Sequence, residues 1–163
     1  MTTTRWMVAC VCLCLYSQMA ATQSADLELQ THADEAAELL ALHNQARVDG
    51  VKCGWFIRQH AAPLSWNQQL AAAAQQQVRA MAKQQTLTHS AGGNTKQRLA
   101  QVGYRWSRYA ENIGFAYRDA NAAFDGWINS KAHCQNIMDE AQREFGAAHY
   151  QGYWSVIIAA PKA

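Results

Sequence analysis

Leu70, Ala74, Val78 and Met81 recur at i, i+4, i+8 and i+11, a single apolar stripe at the helical period. The pattern predicts a helix from Asn67 to about Gln85, with small alanines beside the stripe and a glutamine-rich polar face. An earlier helix is predicted from Asp34 to Val48. Asp34 or Thr31 can cap its start, and Gly50 can end it. Its apolar face carries Leu39, Leu40 and Leu42, followed one turn later by His43, Asn44 and Arg47. Asn94 is placed to cap a short helix ending before Gly103, and Asp119 to cap another carrying Ala123, Phe124 and Trp127 that ends near Ser130. Residues Ala110 to Tyr117 (A-E-N-I-G-F-A-Y) predict a strand, with Gly114 placed for a bulge. E-F-G-A-A-H-Y and Y-W-S-V-I-I-A-A flank Gln151–Gly152, which predicts a hairpin. Three antiparallel strands with helices packed against them make an α+β protein.

The N-terminus departs from this patterning. Trp6 to Tyr16 is an unbroken apolar run of 11 residues behind a single charge, Arg5, and small residues follow in A-A-T-Q-S-A. Such a run is too short to span a bilayer and fits a cleaved signal peptide over residues 1–25. V-A-C at Cys10 is the pattern of a lipid anchor, but the apolar run before it is very short. Residues 26–38 form a polar lead-in and helix start, and 39–160 form the domain. The expected location is therefore periplasmic or secreted, with no transmembrane segment in the mature chain. At 163 residues, half of them apolar, the chain has the length and composition of one globular domain. A net charge of +2 without any basic stripe argues against a nucleic-acid partner.

Export would remove Cys10, Cys12 and Cys14 and leave Cys53 and Cys134. An even pair in an oxidising compartment is expected to form a disulfide. That bridge closes a loop of about 80 residues, worth about 4 to 5 kcal/mol in the chain-entropy account. The alternative is a Cys134–His133 nucleophile pair within S-K-A-H-C-Q-N-I-M.

The order of several short motifs resembles the CAP superfamily, which comprises cysteine-rich secretory proteins, antigen 5 and pathogenesis-related 1 proteins. These motifs are L-H-N-Q-A-R (42–47), P-L-S-W-N-Q-Q-L-A-A-A-A (63–74), T-H-S (88–90), A-E-N-I-G (110–114) and G-Y-W-S-V-I (152–157). W-I-N-S-K-A-H-C-Q-N-I-M (127–138) is similar to the bacterial branch with its SCP domain. The resemblance implies an α–β–α sandwich and a secreted protein. It also implies a cleft in which members often carry two histidines and two glutamates. His89 and Glu111 match one of each; Ser130 and Tyr153 stand where the other two would be, and His133 is the residue that can partly replace them.

The cleft is accordingly expected to gather His89, Glu111, His133 and Tyr153, with Asn44 and Arg47 as buttresses on the first helix. Glu111 shares a strand face with Ile113 and Phe115, so it is expected to be partly buried and in need of a polar partner. Zinc or another divalent metal on His89, Glu111 and His133 is one reading, since zinc catalysis takes three such ligands and an open position. No short motif enforces that shared face, and the alternative is a hydrogen-bonded polar cluster in the cleft, for which no cofactor is required. The leading expectation is a non-catalytic binding module for a lipid, cell-envelope or protein ligand. The alternative is a hydrolase, metal-assisted or acid/base, acting on peptide or cell-wall material, with Glu111 and His89 as its candidate catalytic groups. Trp55, Trp66, Trp106, Trp127 and Trp154 are expected in the core, and His32, His60 and His149 on the surface or scaffold.

Overall fold

The computed structural model describes residues 30, 32–55 and 59–163. The chain divides into two units, residues 1–34 and 35–163. The expected leader, residues 1–25, lies outside the described residues, and residues 30 and 32–34 of the first unit are helical.

In the second unit, α1 covers residues 35–49. It is followed by β1 (Ser65–Trp66), α2 (Gln68–Gln84), α3 (Thr95–Gln101), β2 (Trp106–Phe115), α4 (Ala120–Ile128), α5 (Lys131–Met138), β3 (Glu144–Tyr150) and β4 (Tyr153–Pro161). Helix starts fall where side-chain caps satisfy the free N–H groups. Asn67 accepts from the N–H groups of Gln69 and Leu70. Asn94 and Gln97 form a reciprocal capping box, and Asp119 accepts from the Ala122 N–H. Gly50 ends α1 in left-handed backbone at φ 75°, where a Cβ would also meet the His60 ring at 2.6 Å.

The sheet is mixed and four-stranded, in the order β1-β3-β4-β2. β4 pairs antiparallel with both β2 and β3, as the hairpin pattern predicts, while β1 adds a parallel edge beside β3. The expected three-stranded sheet omits β1 because two residues cannot carry an alternating pattern. β2 also starts earlier than expected, at Trp106, and stops at Phe115. Ala116 ends it in left-handed backbone at φ 61°, and its N–H donates to the Gly152 carbonyl. Gly114 is not a bulge; the register shift lies between Trp106 and Arg108. What Gly114 provides is room, since a Cβ there would come 2.5 Å from the Tyr117 ring.

Helices cover both faces, giving an α–β–α sandwich with two cores. Trp154, Val156 and Ile158 point with Phe145 and Ala147 toward Leu39, Ala123, Trp127 and Ile137. Tyr153, Ile157 and Ala159 point the other way, toward Leu70, Ala74, Val78, Met81 and Leu99. Burial on both faces explains why β4 reads as a nearly continuous apolar run. α2 lies close enough on β3 that a Cβ on Gly146 would meet the Ala71 nitrogen at 2.1 Å. Trp127 and Trp154 are core residues as expected. Trp55 and Trp66 are not: they are 95% and 40% exposed, on the loop after α1 and on the short edge strand.

Candidate functional site

The loop between α2 and α3 carries His89, and three side chains hold that loop in place. Gln77, fully buried on α2, donates from Nε2 to the Thr88 carbonyl and accepts from the Gly92 N–H at 3.4 Å. Gln84 Nε2 donates to the Ala91 carbonyl at 2.7 Å. Arg98 on α3 donates from Nη1 to the carbonyls of His89 and Gly93.

Glu111 rises from β2 on the face that also carries Ile113, and its side chain is 3% exposed. Burying a carboxylate demands partners, and Glu111 has four. Oε2 accepts from His89 Nδ1 at 2.8 Å and from Thr95 Oγ1 at 3.2 Å. Oε1 accepts from Arg98 Nη2 and from Ser155 Oγ at 3.5 Å. Arg98 is fully buried, and its Nη2 also donates to Thr95 Oγ1 at 3.2 Å. An ionised carboxylate accepts only, so the proton of the neutral His89 ring sits on Nδ1. Nε2 is then the lone-pair nitrogen of a side chain that is 57% exposed.

His133 approaches from the other layer. It lies in the first turn of α5, which is clipped to β2 by Asn112: Nδ2 donates to the His133 carbonyl at 3.3 Å, and Oδ1 accepts from Asn136 Nδ2 at 2.8 Å. Its Nδ1 is buried with no partner among the described residues. Burial, and secondarily the charge that His89 carries when it is protonated, hold the His133 pKa below its ordinary value. β2 is an edge strand of the sheet, and His89 and His133 belong to segments packed on its two faces.

The remaining expected residues lie elsewhere. Tyr153 pairs with Phe115, ring centroids 4.4 Å apart, and is 7% exposed. Glu111 faces Ile157, four residues along β4, so Tyr153 sits about 13 Å farther down the strand. Asn44 forms a two-way clip with the Leu64 backbone, at 3.0 and 2.7 Å. Arg47 is fully buried, and its guanidinium donates to the carbonyls of Ala62, Ile137, Asp139 and Gln142. A cation on the last carbonyls of α5 complements that helix end. Asn44 fixes the segment before β1, and Arg47 anchors the C-terminal end of α5, the helix that carries His133.

Cys53 and Cys134 form a disulfide. The thiolate–imidazole alternative therefore falls, because a bonded sulfur is not a nucleophile; Cys134 staples the turn after α1 to α5 beside His133. Two scaffold histidines are also paired: His149 bonds Glu35 at 2.8 Å and stacks on Trp154, and His60 Nδ1 bonds the Val48 carbonyl at 2.9 Å. A surface cavity of about 640 Å³ is lined by Cys53, His60, Arg108, Asn136 and Asp139 among others. It shares no lining residue with the His89–Glu111 cluster, so convergent charge and not cavity volume marks the candidate site.

A family model for the cysteine-rich secretory proteins, CAP, matches residues 40–157, well over half of the chain. The chain belongs to the CAP family. Among solved structures, this CAP chain is similar to an extracellular protein containing a SCP domain from Bacillus anthracis, with TM-score 0.68 and 22% identity over 78% of this chain and 41% of that one. It is similar to a cysteine-rich secretory protein of Staphylococcus aureus, with TM-score 0.64 and 22% identity over 78% of this chain and 38% of that one. A third is an outer surface protein of Borrelia burgdorferi, with TM-score 0.64 and 15% identity over 77% and 92%. An uncharacterized membrane protein of Bacillus subtilis, YlbC, is 26% identical over 101 residues, 61% of this chain and 29% of the relative. The CAP chain thus spans under half the length of the first two structures and under a third of the Bacillus subtilis relative. At these identities the structural likeness shows the fold.

The donor set of this CAP cleft does not suit zinc on His89, Glu111 and His133. Among the described residues, these three do not bring ligand atoms within 4.8 Å of one another as a set. Both oxygens of Glu111 are already engaged, one of them by a guanidinium. Sequence reasoning missed Arg98 and Thr95, which supply the engagement. The Asn94–Gln97 box fixes the phase of α3 and puts Thr95, Arg98 and Leu99 on one face at i, i+3 and i+4, but that phase alone does not turn Arg98 inward.

Proposed function

We propose that this chain is an exported, non-catalytic binding module that receives its ligand on the imidazoles of His89 and His133 at the edge of β2. One observation carries the reading. His89 is half out of the protein yet fixed in orientation by a buried carboxylate, which is the arrangement of a preorganised hydrogen-bonding head. Acid/base hydrolysis has one support, because a His–Glu pair also suits a general base. Ser90 is not the nucleophile of such a pair, because its hydroxyl is engaged with Thr88 Oγ1 at 3.2 Å.

Export is supported by the apolar segment at residues 6–16 and by the extracellular and outer-surface neighbours. No helix among the described residues is long and apolar enough to cross a membrane. The ligand class is a cell-envelope component, lipid or protein.

The test uses the folded protein with soluble cell-wall fragments and, separately, with phospholipid vesicles. Binding is followed on the histidine ring resonances, and the supernatant is analysed for released product. Shifts at His89 and His133 that vanish in His89→Ala, without product, are expected. Product formation that requires His89 would establish the hydrolase instead.

A further inference from the structure

We infer that Arg98 is the resident cation of the Glu111 cluster: it takes the electrostatic place of a metal ion, excludes divalent metal from Glu111, and positions His89 as a metal-independent head. The inference rests on the proposed binding role for His89 only in what it says of the ligand; the statement about metal stands on geometry alone.

Charge comes first. Glu111 supplies one negative charge, and the guanidinium of Arg98 bonded to Oε1 cancels it in a setting where neither side chain is more than 3% exposed. A divalent ion approaching Glu111 meets no net negative charge, and it must also displace a buried guanidinium that has no other anion. Among the described residues, the only side-chain acceptors recorded for Arg98 are Glu111 and Thr95.

Geometry comes second. The lone-pair capacity of Glu111 is spent on His89, Thr95, Arg98 and Ser155. Arg98 also donates to the carbonyls of His89 and Gly93, so a single fork holds both the carboxylate that orients the ring and the backbone that carries it. A lysine has no fork and cannot span these acceptors. Arg98 touches the cleft only through Glu111 and the loop; it is a positioning residue.

The neutral His89 ring keeps its proton on Nδ1 and offers Nε2 as an acceptor. The complementary ligand group is then a hydrogen-bond donor, a hydroxyl or amide N–H.

The experiment titrates zinc into the full chain and into Arg98→Met, which keeps the apolar stem and removes the charge. Calorimetry reads affinity, and nitrogen-15 spectra of the histidine rings read the tautomer. In the wild type, Glu111→Gln should leave zinc affinity within about twofold, because Glu111 is not a ligand. Arg98→Met should bind zinc at least about tenfold more tightly than wild type, the scale of effects from groups around a metal site. Adding Glu111→Gln to Arg98→Met should remove that gain. Zinc should also raise the melting temperature of Arg98→Met but not of wild type. If Arg98→Met does not fold, the wild-type ring spectrum decides: His89 must stay protonated on Nδ1 as zinc is added. Three results overturn the inference: wild-type zinc affinity that falls about tenfold with Glu111→Gln, a folded Arg98→Met with no gain, or a His89 Nδ1 that loses its proton to zinc. Failure of the envelope-binding assay leaves these outcomes untouched and tells only against the binding role.

Discussion

His43 on α1 makes the stability of this domain depend on acid in a way that can be worked out from its surroundings. The ring is fully buried and lies edge-on to Phe124, Trp127 and Phe145, at centroid distances of 5.3, 6.2 and 4.9 Å. Nδ1 donates to the Leu39 carbonyl one turn back at 2.7 Å, and Nε2 has no partner among the described residues. Burial disfavours the charged ring and Arg47 adds repulsion, while the Leu39 carbonyl opposes both; the result is a pKa lowered from 6.5 to about 4. Above pH 6.5 the ring is neutral in both states, and the stability is fully present. Between pH 6.5 and about 4 the unfolded chain binds a proton that the folded chain refuses. Stability is lost there as pH falls, by up to about 1.4 kcal/mol per pH unit. The interval of 6.5 − 4 = 2.5 units corresponds to about 3 kcal/mol in total. Below about 4 this group contributes no further slope. That loss is a sizeable part of the margin of an ordinary domain. Urea unfolding of wild type and His43→Leu, with the disulfide intact, across this range is the assay. Leucine does not titrate, so other groups contribute the same slope to both proteins. The stability difference between them should change by about 3 kcal/mol in favour of the variant as pH falls. Parallel curves would refute the reasoning.

Three further outcomes follow from the same structure. His89→Ala removes the positive charge that depresses His133, so the His133 titration should move up toward its ordinary value; the shift should be partial because burial is the larger cause, and NMR titration of the histidine rings reads it. Gly146→Ala should destabilise the fold by several kcal/mol or prevent folding, since the new Cβ meets α2 backbone at 2.1 and 2.3 Å; soluble yield and chemical unfolding are the measures, and a cost under about 1 kcal/mol would disprove the rigid contact. Cys53→Ser with Cys134→Ser opens a link of sequence separation 81 and should cost at most about 4.5 kcal/mol by chemical unfolding, with proteolysis concentrated near the turn after α1 and near α5.

Local rules carried most of the fold. The α2 stripe, the three capped helix starts and the Gln151–Gly152 turn each rest on chemistry within a few residues, and each element forms where those rules place it. α5 was not legible as a helix: it is eight residues long, and Ser130 makes no side-chain cap bond at its start. Its helical form depends on anchors from elsewhere, with Arg47 and the disulfide toward its second half and Asn112 at His133. At the site, an inward Glu111 with a needed partner was legible from strand alternation, and His89 is one such partner. Arg98 was not, because an arginine in a short polar helix ordinarily lies on the surface. Its burial is a tertiary outcome, set by how α3 closes over β2.

The balance of energies at Glu111 bears on what that cluster is for. Removing two charges from water costs several kcal/mol each, and a buried pair recovers that only with good geometry and further hydrogen bonds. Apolar residues of similar size often serve stability as well or better. The Arg98–Glu111 pair, set into the domain beside the packed core of Leu99, Ile113 and Ile157, is therefore poorly explained as a stabiliser. Its hydrogen bonds have a common direction that a stabilising role does not require. They run to the His89 carbonyl, the Gly93 carbonyl, the Thr95 hydroxyl and, through Glu111, the His89 ring. Each fixes part of the loop that presents His89. On the other side of β2, the bonds of Arg47, Asn112 and the disulfide do the same for the helix that presents His133. Two imidazoles from opposite layers of the sandwich are thus each carried by a segment that buried groups hold in place. On the His89 side, the buried ion pair is intelligible if a fixed ring orientation is what the fold must preserve.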